Sequence, residues 1–267
     1  MKGENYFSPR NRLRFGEALF SEGDYLRASD EFAAYLNRRP NDAILFKIGY
    51  ANLKLGNYFK AENVFQTLSG KKDISLQAKL MFVKTKYLSG DEQFVASGNY
   101  KTLNIPEPDL IKIEKLKLLT ILKNRKALPD SAEFFKPFQS QLYQDVSRFY
   151  FRKKNMKEKS PITAAALSAV IPGAGKIYTE NYGDGATAFL VTGLLAFLAY
   201  DNFQAEHNGR AWIFTGLAAF FYAGNVYGSY LSAKTYNLEM RLSFENDVKF
   251  FIKQNDYFIP EPDFLKR

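Results

Sequence analysis

An internal period of 33 residues constrains this chain more than any other feature. Gly16, Ala18, Gly23, Tyr25, Ala28 and Phe32 return, each shifted by 33, as Gly49, Ala51, Gly56, Tyr58, Ala61 and Phe65. A repeat of this length holds one pair of helices, and pairs that cannot bury an apolar face alone must stack on their neighbours. Gly16 with Ala28, and Gly49 with Ala61, remove bulk where the two helices of a pair have to approach. The turn between them carries Gly23 or Gly56, the residue type that accepts positive φ. A looser third unit spans 78–91, keeping Gly90 in the turn but placing Val83 where the first two units have a small residue. Beyond Pro106-Glu107-Pro108, stretches 109–124 and 131–150 show the 3.6-residue apolar spacing of a further helical pair, through Leu110, Ile113, Leu116 and Leu119. Strand signals are scarce, so the expected class is all-α.

The last third reads differently. Three uncharged runs, 160–175, 185–200 and 211–233, follow a basic block. The third is long enough as a helix, about 34 Å, to cross a hydrocarbon core of about 30 Å. The second reaches that length if Asp201 and Asn202 sit among headgroups. The first is too short, being broken by Pro172-Gly173-Ala174-Gly175, and reads as interfacial or re-entrant. Small residues recur every fourth position at Gly224, Gly228 and Ser232, and at Ala188, Thr192 and Ala196. This spacing brings helices close in lipid, with Gly224, Asn225 and Gly228 as the expected contact and Thr192 or a backbone carbonyl as a partner for Asn225.

Charge and composition narrow the function. The chain carries +9, of which the block 148–159 supplies +5 through Arg148, Arg152, Lys153, Lys154, Lys157 and Lys159 against Glu158. Charge concentrated beside apolar runs suits anionic headgroups, with Arg152, Lys153, Lys154 and Lys157 as the contacts, and speaks against nucleic acid. Lys234 and Arg241 follow the third run, so both ends of a hairpin face the cytoplasm by the positive-inside rule. No cysteine is present and His207 is the single histidine, which excludes thiolate and multi-histidine metal chemistry. Gly175-Lys176 is followed by Ile177 rather than Ser or Thr, so the phosphate-loop pattern is not met. No cofactor and no enzymatic activity are expected. The first ten residues lack the apolar stretch of a secretory signal.

The repeated residues resemble the tetratricopeptide repeat, with two good units and a degenerate third. Pro172-Gly173-Ala174-Gly175-Lys176-Ile177-Tyr178 with Gly183 and Gly185 resembles the Pro-Gly-x-Gly-x-x-Tyr opening of bacterial TM2-type membrane hairpins. A bacterial group that joins such repeats to this segment is similar over most of the chain. The resemblance implies a helical solenoid whose concave groove takes a protein or peptide partner at Glu17 and Phe20, Phe46 and Tyr50, Lys84 and Tyr87. It implies a scaffold or adaptor linked to membrane or envelope protein biogenesis. The expected organisation is repeats over 1–105, a further helical pair over 106–159, a membrane domain over 160–237 with its re-entrant segment and two-helix hairpin, and a helical tail over 238–267. The expected place is the bacterial inner membrane with the repeats cytoplasmic, or periplasmic if an export signal is missing from this chain. An oligomerising membrane protein with the repeats as a spacer is the rival expectation, and makes a homo-oligomer the alternative partner. Ile105-Pro106-Glu107-Pro108-Asp109-Leu110 recurs as Ile259-Pro260-Glu261-Pro262-Asp263-Phe264. Both copies read as extended caps, or the second as a docking peptide for the groove of another copy.

Overall fold

A computed structural model describes residues 8–124, 128–138 and 141–265, and everything regular in them is helical. The chain forms two compact units by its internal contacts, residues 1–151 with 248–267 and residues 152–247.

In the first unit α1 (Pro9–Ser21), α2 (Tyr25–Leu36), α3 (Asp42–Lys54), α4 (Tyr58–Leu68) and α5 (Ser75–Leu88) each pack against the next. Local chemistry sets the boundaries. Ser8, Asp24 and Asn41 cap α1, α2 and α3 by accepting from the backbone N–H three residues on. The turns before α2 and α4 hold Gly23 at φ 81° and Gly56 at φ 75°, in the left-handed region. A Cβ on Gly16 would stand 2.8 Å from the Phe32 ring, and one on Gly49 would stand 2.8 Å from the Val64 side chain. The 33-residue spacing is therefore a packing requirement, since the glycine of one helix receives the bulk of its neighbour. α6 (Glu92–Ala96) and a 3₁₀ turn lead to α7 (Glu107–Lys123), α8 (Ser131–Phe135) and α9 (Gln141–Lys154). Phe32, Phe46, Phe65, Tyr100, Leu116 and Phe134 are fully buried.

The second unit holds α10 (Pro161–Val170), α11 (Ala174–Tyr178), α12 (Tyr182–Gln204) and most of α13 (Asn208–Gln254). α12 is the one helix among the described residues that is long and apolar enough to cross a membrane, and 11% of its apolar window is buried. A core helix of a soluble fold would be mostly covered, whereas α12 presents Phe189, Leu190, Leu194 and Phe197 outward. The run 211–233 lies inside the 47-residue α13 and does not meet the same standard of apolarity. Tyr222, Asn225, Tyr227 and Tyr230 dilute it.

The stretch from residue 238 begins no new element. α13 continues through it to Gln254, because charged residues without Pro or Gly do not stop a helix. After α13, Asp256, Tyr257 and Phe258 take φ of 47°, 59° and 59°, three consecutive left-handed residues that turn the chain back along the first unit.

Candidate functional site

The repeats bring all six expected groove positions into one region, but as a filled site rather than an open one. The occupant is residues 256–265 of the same chain. Phe46, at the centre, is fully buried and meets Phe65 on one side and Phe264 on the other, with ring centroids 5.1 and 5.0 Å apart. Phe264 and Leu265 join the core made by α1 to α5. Tyr50 is buried against Phe20 with its hydroxyl close to the Glu261 carboxylate, which accepts from Lys54 Nζ at 2.8 Å. Lys84 Nζ donates to Asp256 Oδ1 at 2.7 Å and to the Ile259 carbonyl at 2.9 Å. Tyr87 packs against Tyr257 with ring centroids 5.8 Å apart and planes tilted by 59°. Phe20 packs on Tyr25 and Phe32, and Glu17 is tied to the buried Lys47.

This corrects the expectation of a free concave face. Four of the six residues touch the chain's own segment, and Glu17 and Phe20 are used within the repeats. The reason is chemical matching. Ile259 to Phe264 offers two prolines that hold it extended, two carboxylates and an aromatic end, and the groove offers two lysines and an aromatic floor. Burial lowers the pKa of the Lys84 ammonium, with Asp256 working the other way. Burial works against the Glu261 carboxylate too, yet the Lys54 and Tyr50 hydrogen bonds hold its pKa below the ordinary value. Sequence reasoning missed Lys54, Asp256 and Glu261. The available signal was the duplicated Pro-Glu-Pro-Asp stretch, which places acid on one segment while lysine sits in the repeats.

The glycine motif of the second unit has a steric explanation. Gly173 sits at φ 86°, and a Cβ there would fall on the Gly185 carbonyl oxygen. A Cβ on Gly175 would fall on the Ala164 carbonyl oxygen, and one on Gly185 would come 2.7 Å from the Ile177 side chain. These glycines let α10, α11 and α12 cross at backbone contact. Pro172 lies between α10 and α11, where it ends the first helix. A Cβ on Gly183 would meet nothing within 4 Å, so this glycine plays no part in that crossing. Ser168 Oγ accepts from the Gly175 N–H at 2.9 Å and bonds Ser229 Oγ at 2.7 Å, joining α10, α11 and α13. The Tyr178 hydroxyl accepts from the Ser160 N–H, and Lys159 exchanges two 2.8 Å hydrogen bonds with the Asn237 side chain.

Two further expectations change. A Cβ on Gly224 would meet nothing within 4 Å, and one on Gly228 would meet the end of the Lys176 side chain of α11 at 3.6 Å, so within this chain neither position is a close backbone crossing. Asn225 is buried, and neither its Oδ1 nor its Nδ2 has a hydrogen-bond partner, so the expected bond to Thr192 is not made. In the basic block Arg152 pairs with Asp247 at 2.6 Å and stands with Lys153 over the Phe244 ring, while Lys154 and Lys157 are exposed.

No protein-family model matches this chain, and neither a curated protein nor a solved structure does.

Proposed function

We propose that this chain is a membrane-anchored repeat scaffold whose groove captures an extended, acidic, proline-containing segment of a partner protein. In this reading α1 to α5 form a tetratricopeptide-like solenoid. α12 and the apolar part of α13 form the membrane hairpin, with α10 and α11 as its interfacial entry. The observation that carries the reading is the segment 256–265 itself. It lies in the groove as a peptide ligand lies in a receptor, with a lysine on a main-chain carbonyl, lysines on carboxylates and an aromatic anchor against an aromatic floor. The resident segment then competes with the partner, and the partner's apparent affinity falls by the fraction of time the groove is free. The exposed apolar surface of α12 supports the membrane half of the reading.

A labelled peptide of residues 256–265 added to the full chain tests it. Weak binding to the native chain is expected. Binding should strengthen by on the order of 10-fold when Glu261→Ala and Phe264→Ala loosen the resident segment. Adding Lys84→Ala to that pair should remove it. Equal binding to the native and loosened chains, or none to either, counts against an exchangeable groove.

A further inference from the structure

A cavity of about 430 Å³ lies inside the second unit, and its lining is chemically unusual. Its polar lining is Lys176 of α11, Asp184 in the first turn of α12, Thr192 and Asn225, and its apolar lining includes Val191, Phe220 and Phe221. Lys176 makes no ion pair or side-chain hydrogen bond among the described residues, although Asp184 shares the cavity with it. The exposed Asp184 carboxylate accepts from the Asn181 side chain at 3.0 Å. Asn225 is 5% exposed and has both amide atoms unpartnered.

A buried amide without partners destabilises a fold, because it has lost water's hydrogen bonds and gained none. These groups make sense together if a ligand supplies the missing partners. That ligand needs an anion for Lys176, a hydrogen-bonding cation for Asp184, an ester carbonyl or hydroxyl within a side-chain rotation of Asn225, and an apolar continuation along Val191 and Phe221. The volume falls in the usual range of small-molecule pockets, and the adjoining α12 is the one helix among the described residues that is long and apolar enough to span a bilayer.

We infer that this cavity binds one phospholipid by a phosphoethanolamine headgroup, with phosphate on Lys176, primary ammonium on Asp184 and the ester region at Asn225. Both charges select against the common alternatives. An anionic headgroup meets Asp184 with no cation to offer, and a quaternary headgroup has no N–H to donate to it. The inference rests on the membrane reading of α12.

The full chain, purified in detergent, is offered equal amounts of phosphatidylethanolamine, phosphatidylglycerol and phosphatidylcholine. Retained lipid is counted by native mass spectrometry and thermal unfolding is followed with each lipid alone. One phosphatidylethanolamine per chain, favoured about 10-fold or more, is expected. Asp184→Asn should shift the preference to phosphatidylglycerol, and Lys176→Gln should remove selectivity. Asn225→Leu should lose the lipid while leaving the lipid-free midpoint unchanged or higher, because it removes the unpartnered amide. Equal retention of all three lipids, or the same retention by every variant, overturns the proposal as bulk lipid coating. Stabilisation by free phosphoethanolamine equal to that by the lipid overturns the lipid in favour of a soluble ligand. Membrane partition is scored separately in cells. A chain that stays soluble overturns the membrane reading and this proposal together, whereas one that partitions but shows no preference overturns this proposal alone.

Discussion

A methyl group at position 175 would land on the Ala164 carbonyl oxygen, and one at position 183 would meet nothing. Both glycines belong to the same sequence motif, so the pair separates steric need from mere recurrence. Gly175→Ala should destabilise the second unit by about 1–3 kcal/mol, the usual cost of forcing extra volume into a packed contact. Gly183→Ala should be neutral or gain up to about 1 kcal/mol from helix propensity. Thermal unfolding of the two variants side by side checks this, and equal losses would mean that the crossing is looser than the geometry implies. Phe46 makes the matching point in the first unit. Because it is fully buried between Phe65 and Phe264, Phe46→Ala should cost about 3–5 kcal/mol by chemical denaturation. A loss confined to partner capture, with stability intact, would show instead that the residue is a surface anchor. Which glycines were indispensable was half legible in the sequence. The repeat pair Gly16 and Gly49 was readable from period alone, because their packing partners follow within the same repeat. The contacts of Gly173 with Gly185 and of Gly175 with Ala164 bring together backbones whose crossing angle no local pattern specifies.

At the scale of elements, the segment 256–265 answers to pH through Glu261. Its carboxyl titrates lower in the folded chain than when free, so folding favours the ionised form and this contribution is complete above the unfolded value of about 4.3. It is lost as pH falls through the lower folded value. Acidification from pH 6 to pH 3 should therefore loosen the segment before the repeats unfold. Hydrogen exchange at residues 259–265 would then rise while α2 and α4 stay protected. Simultaneous loss of protection would mean that segment and repeats unfold as one unit. The helices of the first unit were legible because caps and turn glycines act within four residues. The docking of residue 261 on residue 54 was signalled only by the duplicated Pro-Glu-Pro-Asp stretch, since it joins positions far apart in the chain. The length of α13 was hidden for the opposite reason. Its change from apolar to charged residues marks a change of surroundings but gives the backbone no cause to stop.

At the scale of the whole molecule, the positive balance of +9 and the apolar α12 place the same demand on topology. The absence of cysteine makes that demand measurable, because any introduced thiol is unique. Lys72 and Asn208 are both exposed, so Lys72→Cys and Asn208→Cys can be labelled in intact cells with an impermeant maleimide. Labelling at 208 alone is expected if the repeats face the cytoplasm. Labelling at 72 alone would put them on the outer side of the membrane.

A groove that is already filled also sets a speed limit. If the groove captures a partner as proposed, residues 256–265 must leave first, and capture would have a step independent of partner concentration. The observed rate should then rise with partner concentration and level off at the opening rate, whereas an empty groove would give a straight line. The three left-handed residues at 256–258 bear on that plateau. Each is held in a conformation about 1–2 kcal/mol above the right-handed one, so a departure that freed the turn would release that strain. On the proposed reading, the turn that delivers the segment into its seat would shorten its residence there, and a partner would be admitted sooner than the buried contacts alone would allow.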